Sequence, residues 1–437
     1  MSKRFNKPTS KARSALLAGL CLCVAPPLVY DVEGQDLVTT VAGSPRQPGA
    51  SDGAGSNARF NDPAGIAVAS DGTVYLADNR NHVIRAVDQA GLVSTLAGSF
   101  GASGADDGQG AAARFKFPTG IAVEADGSLI VSDTGNDTIR RVSPSGVVVT
   151  LAGAAGVADY LDGVLATARF SEPQGVAVAS DGAIFVADCG NHVIRRVGTD
   201  GDVTTVAGRG EVWGAADGVG AAARFNNPLG LALDATGNLF VTDANNFTIR
   251  KITPGGEVST LAGAPGIDGS IDGAGAAARF GKPAELAVDS GGNLYVADAS
   301  NHAIRKVSPD GFVTTVSGVV RQSGSLDGAD RAARFFNPYG VACSPRGSLL
   351  LTDAYNQTVR ELLAPFTVAL LRESDQVVVS WRAVIGERYR VQYADRLDSE
   401  AWTNLGGEIT AANLSVSINH PAPGVGEAKF YRVVLLR

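Results

Sequence analysis

Short runs of apolar residues, separated by polar turn residues, recur along most of the chain. In the first complete unit the runs are GIAVA, TVYLAD, HVIRAV and VSTLAG. They are rich in Val, Ile and Leu and too short for helices, so each run predicts a β-strand. Ser-Asp-Gly between the first two runs predicts a tight hairpin turn. The pattern therefore predicts units of four short antiparallel strands.

The unit occurs six times, and its landmarks keep a spacing of 55 residues. An Asp-Gly pair and a proline recur in phase with the tripeptide Ala-Arg-Phe, which ends at Phe60, Phe115, Phe170, Phe225, Phe280 and Phe335. A single four-stranded sheet cannot bury both of its faces, whereas six sheets stacked radially can. We therefore predict an all-β fold, a six-bladed β-propeller with its Phe residues in the core.

The two ends of the repeat array predict how the ring closes. The sixth unit has no fourth strand after Arg360, and an extra copy, LVTTVAG, stands before the first unit and ends at Gly43. We predict that this N-terminal strand completes the last blade, because the pairing ties both ends together and protects two sheet edges.

The segment between the second and third strands carries the most specific signature. Its six copies read DNRNHVIR, DTGNDTIR, DCGNHVIR, DANNFTIR, DASNHAIR and DAYNQTVR. They resemble the NHL repeat, and the resemblance covers residues 37–364. It implies a six-bladed propeller. Because NHL propellers include binding modules, sensor domains and a few enzymes, it implies little about function.

The 55-residue repeat ends after Ala364. In the remaining residues apolar and polar positions alternate, as they do in half-buried strands. We predict a small β-sandwich over 365–437. Its VSW, YRVQYA and terminal FYRVV segments resemble a fibronectin type III module, although the segment is shorter than usual. The resemblance implies a spacer, a binding module or a module for cell-surface attachment, and we favour attachment.

The first 30 residues have the layout of a signal peptide. Five basic residues precede a nearly apolar stretch from Ser14 to Val29, and the alternative is a short membrane anchor. We predict a signal peptide over 1–30, the propeller over 31–364, and a secreted, periplasmic or cell-surface protein with no membrane span in the mature chain. The net charge of −7 argues against a nucleic-acid partner.

The repeat provides its own control for choosing site residues. Asp78, Asn81 and Arg85 have counterparts in all six units and are expected to be structural, whereas residues found in one blade are candidates for a site. Glu285 stands where the five other units have the Gly of Pro-x-Gly. We expect its carboxylate at the channel mouth, where it suits a cation or a ligand amine. Gln174 and Tyr339, at the x position, are expected beside it.

Aromatic residues in blade-specific loops form a second candidate site. Tyr160 and Trp213 precede blades 3 and 4, and Phe247 lies in a turn of blade 4, with carboxylates near in sequence at Asp159, Glu172 and Glu211. Rings beside carboxylates suit the face of a sugar or a basic, aromatic peptide. The alternative is packing of these rings within their own loops.

The sequence indicates no metal centre. His82, His192 and His302 occupy one equivalent position in alternate blades, and a propeller holds such positions too far apart for one zinc ion. Peptide-amidating lyases, which have a similar propeller, place their zinc ligands at the x position of Pro-x-Gly, and none of the six x residues here is His. We predict no catalytic residue, no metal ligand and no cofactor, with a divalent cation near Glu285 as a weaker alternative.

These features favour an extracytoplasmic recognition module over an enzyme. We expect a glycan, a peptide or a protein as its ligand, held on the loop-rich face of the propeller. The alternative is a metal-dependent propeller hydrolase or lactonase that uses Glu285 at the channel mouth.

Overall fold

A computed structural model describes residues 20–21, 30–33, 37–329, 332–363, 367–373, 376–382, 388–395, 401–412, 415–421 and 429–436. The chain divides into two compact units. One unit is Asp36–Leu363, and the other combines Met1–Gln35 with Ala364–Arg437. Within the described part of the chain, no helix has the length and apolarity that a membrane crossing requires.

The larger unit consists of six antiparallel sheets built from equivalent strands. The inner strands are Pro63–Val68, Pro118–Val123, Pro173–Val178, Pro228–Leu233, Pro283–Val288 and Pro338–Cys343. The second strands are Val74–Asp78, Leu129–Asp133, Ile184–Asp188, Leu239–Asp243, Leu294–Asp298 and Leu349–Asp353. The third strands are Val83–Val87, Thr138–Val142, Val193–Val197, Thr248–Ile252, Ala303–Val307 and Thr358–Leu363. Each inner strand has a bulge after its first proline.

Each sheet has a fifth strand that the sequence pattern did not predict. The fourth, outer strands, which the sequence did predict, are Leu92–Gly98, Val147–Gly153, Asp202–Ala207, Glu257–Gly263, Phe312–Ser317 and Leu37–Gly43. Each pairs with a two-residue edge strand from the Asp-Gly loop, which is Gly53–Ala54, Gly108–Gln109, Gly163–Val164, Gly218–Val219, Gly273–Ala274 or Gly328–Ala329. Two residues are too few for an alternating pattern, so these strands leave no signal in the sequence.

The N-terminal strand closes the ring as predicted. Leu37–Gly43 pairs with Thr358–Leu363 on one side and with Gly328–Ala329 on the other, so it is the outer strand of the sixth sheet. Its Val38 and Ala42 are fully buried. The inner strands of neighbouring sheets contact one another in a closed cycle, including the inner strands of the sixth and first sheets. The six sheets are therefore the blades of a closed propeller.

The residues common to all six blades form a buried polar cluster. In blade 1 the Arg85 guanidinium lies 2.7 Å from Asp78 and 2.7 Å from Asp52, and it lies over the Phe60 ring. The side chain of Asn81 donates to Asp78 at 2.9 Å. Burial raises the pKa of Asp78 to about 6, and the charge of Arg85 opposes that rise. Every blade repeats this arrangement, and the six Phe rings are fully buried, which confirms the structural interpretation.

Short 3₁₀ turns connect these elements. They follow the second strands at Asn79–Asn81, Thr134–Asn136, Ala244–Asn246, Ala299–Asn301 and Ala354–Asn356, and they follow edge strands at Gly55–Asn57, Gly110–Ala112, Gly220–Ala222 and Gly275–Ala277.

The smaller unit contains two four-stranded sheets. The strand order is Leu20–Cys21, Phe430–Leu436, Arg388–Ala394 and Thr403–Thr410 in one sheet, and Tyr30–Glu33, Thr367–Glu373, Gln376–Arg382 and Ser415–Pro421 in the other. The buried rings of Trp381 and Tyr389, one from each sheet, lie 5.9 Å apart, so the sheets pack face to face.

Leu20–Cys21 and Tyr30–Glu33 pair with strands of this smaller unit, and the larger compact unit begins at Asp36. The propeller boundary at residue 31 stays a prediction. The predicted cleavage of residues 1–30 would remove Leu20–Cys21 and Tyr30 from these sheets. The signal peptide stays a prediction.

Candidate functional site

The inner strands approach the propeller axis so closely that most blades have no room there for a side chain. A Cβ atom at the glycine of Pro-x-Gly would lie 2.2–2.8 Å from a carbonyl oxygen of the next blade, at Gly65, Gly120, Gly175, Gly230 and Gly340. Real Cβ atoms do not approach oxygen atoms so closely. Close packing of the next blade therefore favours glycine at this position in five blades. Blade 5 is the exception, because it has Glu285 there.

The Glu285 carboxyl is buried where the inner strands of the blades converge. Its Oε1 lies 3.1 Å from the point where a Cβ of Gly65 would stand, which is two blades away around the ring. The side chain is 9% exposed, and among the described residues it has no hydrogen-bond or ion-pair partner. Burial raises the pKa of the Glu285 carboxyl to about 8.

Gln174 and Tyr339 meet across the channel. The Tyr339 hydroxyl donates to Gln174 Oε1 at 3.1 Å, although the two residues belong to opposite blades and are 165 positions apart. Burial raises the pKa of Tyr339 well above its usual range, and the nearby negative charge of Glu285 adds to the effect. The three residues that the Pro-x-Gly comparison selected are therefore neighbours in one stretch of the channel.

A cavity of about 420 Å³ opens above the Tyr339–Gln174 hydrogen bond. Residues of blades 6, 1, 2 and 3 line it, and blades 4 and 5 do not contribute. The lining combines carboxylates, amides, hydroxyls and aromatic rings, among them Asp62, Glu172, Asn79, Thr119, Phe117 and Tyr355. It contains no Lys, Arg or His, so the cavity suits a neutral or positively charged ligand.

Residues in a left-handed backbone conformation form part of the cavity rim. The residue before the inner-strand proline has a φ of 49–57° in five blades, at Asp62, Phe117, Glu172, Asn227 and Asn337. A residue before proline is normally extended, and left-handed conformations are costly for residues other than glycine. Strained backbone of this kind is concentrated at functional sites. This position differs strongly between blades, so a comparison of the repeats could have selected it.

Two exposed aromatic rings flank the cavity. Phe117 is 44% exposed, and its ring meets the edge of His82 at 4.7 Å. Tyr355 is 47% exposed and contacts Phe336 edge-on at 5.1 Å. Each ring is held by a second ring and keeps much of its surface in solvent, which is the arrangement expected of a ring that stacks on a ligand.

The two carboxylates of the rim differ in their surroundings. Asp62 accepts from Arg80 Nε at 3.1 Å, so its charge is partly balanced at the surface. Glu172 has an exposed side chain, and its backbone N–H donates to Asp137 Oδ1 at 2.9 Å. Glu172 is therefore the rim carboxylate that is more available to a ligand.

The three aromatic residues selected from the loops are not brought together. The Tyr160 ring packs against the Arg195 guanidinium at 5.3 Å, and its hydroxyl bonds Thr205 Oγ1 at 2.9 Å. Phe247 is half-buried with a φ of 59°, whereas Trp213 is 67% exposed. Among the described residues, no ring contact joins these three side chains. The packing alternative therefore describes Tyr160, and Trp213 is the exposed ring of the set.

The three repeat histidines link neighbouring blades. His82 Nδ1 accepts the backbone N–H of Phe117 at 3.1 Å, and His192 and His302 accept equivalent bonds from Asn227 and Asn337. Gln357 accepts the same bond from Asp62 at 2.6 Å. Because Nδ1 must accept, these imidazoles are neutral when the bond forms, and burial lowers the pKa of each.

Comparisons with known families and proteins agree with this fold. The family described as Teneurin NHL domain matches residues 42–106, and the NHL repeat matches residues 170–196, 225–252 and 280–307. NHL repeat-containing protein 2 of Bos taurus is 30% identical over 317 residues, which are 64% of this chain and 43% of that protein. The chain thus contains NHL repeats and is a homologue of NHL-repeat proteins.

Other relatives share only this region. Protein SUPPRESSOR OF QUENCHING 1, chloroplastic, of Arabidopsis thaliana is 30% identical over 282 residues, covering 61% of this chain and 26% of that protein. Teneurin-4 of Mus musculus is 29% identical over 228 residues, covering 46% of this chain and 8% of that protein. The chain spans less than half the length of these curated relatives.

Solved structures share the fold at low sequence identity. A protein of unknown function from Bacteroides thetaiotaomicron has a TM-score of 0.59 and 22% identity, with 75% of each chain covered. An auxiliary nutrient binding protein from Bacteroides ovatus has a TM-score of 0.58 and 18% identity, covering 76% of this chain and 77% of that one. At these identities the likeness concerns the fold alone.

Proposed function

We propose that the propeller is a non-catalytic binding module that holds a small polar ligand in the cavity above the Tyr339–Gln174 hydrogen bond. The observation that carries the proposal is the one-sided lining of this cavity. Four blades supply different polar and aromatic residues to it, although the blades share nearly all of their structural residues. A packing role would be the same in every blade, so a lining that differs from blade to blade favours a ligand.

The size and chemistry of the cavity favour a ligand with a flat face and several polar groups. A volume of about 420 Å³ lies in the range of small-molecule sites and admits a mono- or disaccharide or the end of a peptide. The rings of Phe117 and Tyr355 suit stacking on the ligand, while the amide and hydroxyl groups of the lining suit hydrogen bonds to it. Two solved structures with this fold are called auxiliary nutrient binding proteins.

The hydrolase alternative has less support from the site. It requires several metal ligands around the channel, and Glu285 is a single carboxylate. Among the described residues, no three His, Cys, Asp or Glu side chains are grouped as a metal site would need. No geometric observation favours this alternative over binding.

We also propose that the protein works outside the cytoplasm and that the smaller unit is a fibronectin type III-like module for surface attachment. The N-terminal basic and apolar stretches and the strand pattern of the C-terminal residues support these points. The intact mass of the protein recovered from a secreting host tests the first point. A mass that includes residues 1–30 would contradict cleavage.

The binding proposal is tested with a glycan and peptide array, followed by calorimetry on each hit. We expect Phe117→Ala and Tyr355→Ala each to weaken binding by roughly 5-fold, since a stacking ring contributes about 1 kcal/mol. Trp213→Ala removes an exposed ring outside the cavity lining and is the control.

Two results would contradict the proposal. Binding that is unchanged in Phe117→Ala and Tyr355→Ala would exclude this cavity. Loss of binding in Trp213→Ala or Phe247→Ala alone would assign the ligand to the loop aromatics instead.

A further inference from the structure

The Glu285 carboxyl is a buried ionisable group that the ring does not need for packing. Five blades have glycine at this position, and a Cβ there would meet a neighbouring carbonyl oxygen. Glu285 is 91% buried, and it lacks a hydrogen-bond or ion-pair partner within the described residues. A buried carboxylate without a counter-charge destabilises a fold. Burial raises the pKa of this carboxyl to about 8, so without a partner it is mostly protonated at neutral pH, and a cation that stabilises its ionised form must come from outside this part of the chain.

The Glu285 carboxyl does not line the cavity itself but lies beside residues that do. Its Oε1 approaches Gly65, and the preceding residue, Ala64, lines the cavity. Tyr339 also lines the cavity and is close enough for the charge of Glu285 to raise the pKa of its hydroxyl. Gln174 Oε1, which accepts from Tyr339, is another oxygen in the same stretch of the channel. A ligand group that extends beyond the Tyr339–Gln174 hydrogen bond thus meets oxygen atoms of Glu285, Gln174 and Tyr339.

The charge of the cavity favours a cation along this path. Asp62 and Glu172 are part of the lining, which contains no basic side chain. The exposed rings of Phe117 and Tyr355 present faces that attract cations. A protonated primary amine has three N–H donors, and the oxygens of Glu285, Gln174 and Tyr339 are acceptors for them.

We propose that the ligand carries a protonated primary amine and that Glu285 binds its ammonium group. This inference rests on the proposed function, because the amine reaches Glu285 only from a ligand held in the cavity. On binding, the Glu285 carboxyl releases its proton to solvent, and the ammonium group supplies the counter-charge for the resulting carboxylate. It makes a charge-assisted hydrogen bond in a site from which water is largely excluded.

The experiment compares amines with their N-acetylated forms, which keep the scaffold and lose the charge. Glucosamine with N-acetylglucosamine, and tyramine with N-acetyltyramine, are titrated into the full chain by calorimetry at neutral pH and low salt. We expect at least one amine to bind roughly 10-fold or more tightly than its acetylated form, because a hydrogen bond to a charged group contributes about 1.5–3 kcal/mol.

Two variants assign the preference to Glu285. Glu285→Gln keeps the shape and removes the charge, whereas Glu285→Gly restores the residue of the five other blades and is expected to fold normally. Thermal melting verifies the fold of each. In both variants the preference for the amine should disappear while binding of the acetylated form persists.

Several results would overturn the inference. One is equal affinity of amine and acetylated form in the parent protein, and another is a preference that survives Glu285→Gly. Stabilisation by calcium chloride alone that is lost in Glu285→Gly would reassign the carboxylate to a metal ion.

Failure of the proposed function has a different signature. In that case neither form of any probe binds, or binding is unaffected by Phe117→Ala and Tyr355→Ala. Acetylated probes that bind and depend on Phe117 would leave the binding function standing while the ammonium inference fails.

Discussion

The polar cluster around each repeat arginine and the mouth of the central channel differ in how strictly the blades agree. In the cluster, all six blades use the same Asp, Asn, Arg and Phe residues with nearly the same distances. At the channel mouth, the residue before the inner-strand proline is Asp, Phe, Glu, Asn, Lys or Asn. Both regions contain charged groups, so chemistry alone does not separate them.

The difference indicates that the polar cluster contributes to stability and that the channel mouth is free to vary between blades. A buried Asp–Arg pair must be satisfied wherever it occurs, so every blade needs the same partners. The channel mouth has no such requirement, because side chains there face a cavity rather than a packed interior. Each of the following variants tests whether the cluster acts on stability and the channel mouth acts on binding.

Deleting Leu37–Gly43 should have the largest effect. The deletion removes the outer strand of blade 6 and exposes the edge of Thr358–Leu363. It also removes the buried Val38, and a buried Val contributes roughly 1.5–3 kcal/mol out of a total stability of about 5–15 kcal/mol. We expect aggregation or a melting temperature far below that of the parent. Deletion of residues 364–437 is the control and should leave the propeller melt nearly unchanged. Parental melting of the first deletion would refute the closure.

Arg250→Ala should be the next most damaging change. It leaves Asp243 fully buried without its partner at 2.7 Å, which costs about 3–5 kcal/mol. Asp217→Ala removes the partner on the other side of the same arginine, where the Asp side chain is 51% exposed, and should cost roughly 1 kcal/mol. Urea unfolding measures both. Equal losses in the two variants would show that burial does not set the importance of these pairs.

The histidine bonds between blades predict a dependence on pH. Burial lowers the pKa of His82, His192 and His302 in the folded state, so the unfolded chain binds their protons more readily. This contribution to stability is present above the unfolded pKa of about 6.5, and it is lost as the pH falls from that value through the lower folded-state pKa.

The triple His→Gln variant should abolish this part of the pH dependence, since Gln357 accepts the same bond in blade 6. We expect the parent to lose stability relative to the variant between pH 7.5 and pH 5. Unfolding by urea at the two pH values measures the difference. A constant difference would mean that the imidazoles do not titrate as the geometry requires.

Phe117→Gly should have the smallest effect on stability and a large effect on binding. Glycine relieves the left-handed backbone at a φ of 50° but adds chain entropy, so the net change should stay within about 1 kcal/mol. The exposed ring is lost, and affinity for the cavity ligand should fall. Thermal melting and calorimetry on one preparation separate the two effects. A large loss of stability would move Phe117 from the site to the packing residues.

The features that could be predicted from the sequence follow the same division between residues that recur in every blade and residues that are specific to one blade. The strands, the closing strand and the Asp–Arg clusters were predictable because each recurs, and a recurring residue must satisfy the same local contacts. Glu285 was found because it breaks the repeat. The pre-proline residues Phe117 and Asn337 were missed, since their left-handed conformation is not a property of residue type. The loop aromatics were grouped by sequence proximity, which does not decide whether rings meet.

By itself, the sequence determined the six-fold strand pattern, the order of the blades and the residues that each blade must bury. These depend on local periodicity and on contacts within one blade. Only the tertiary structure decided that Tyr339 meets Gln174 across 165 positions, that the Glu285 carboxylate reaches Gly65, and that blades 6, 1, 2 and 3 share a cavity. The physical reason is the closed ring. Closure brings opposite blades together at the axis, and which side chains then touch depends on their length and on the backbone at the start of each inner strand.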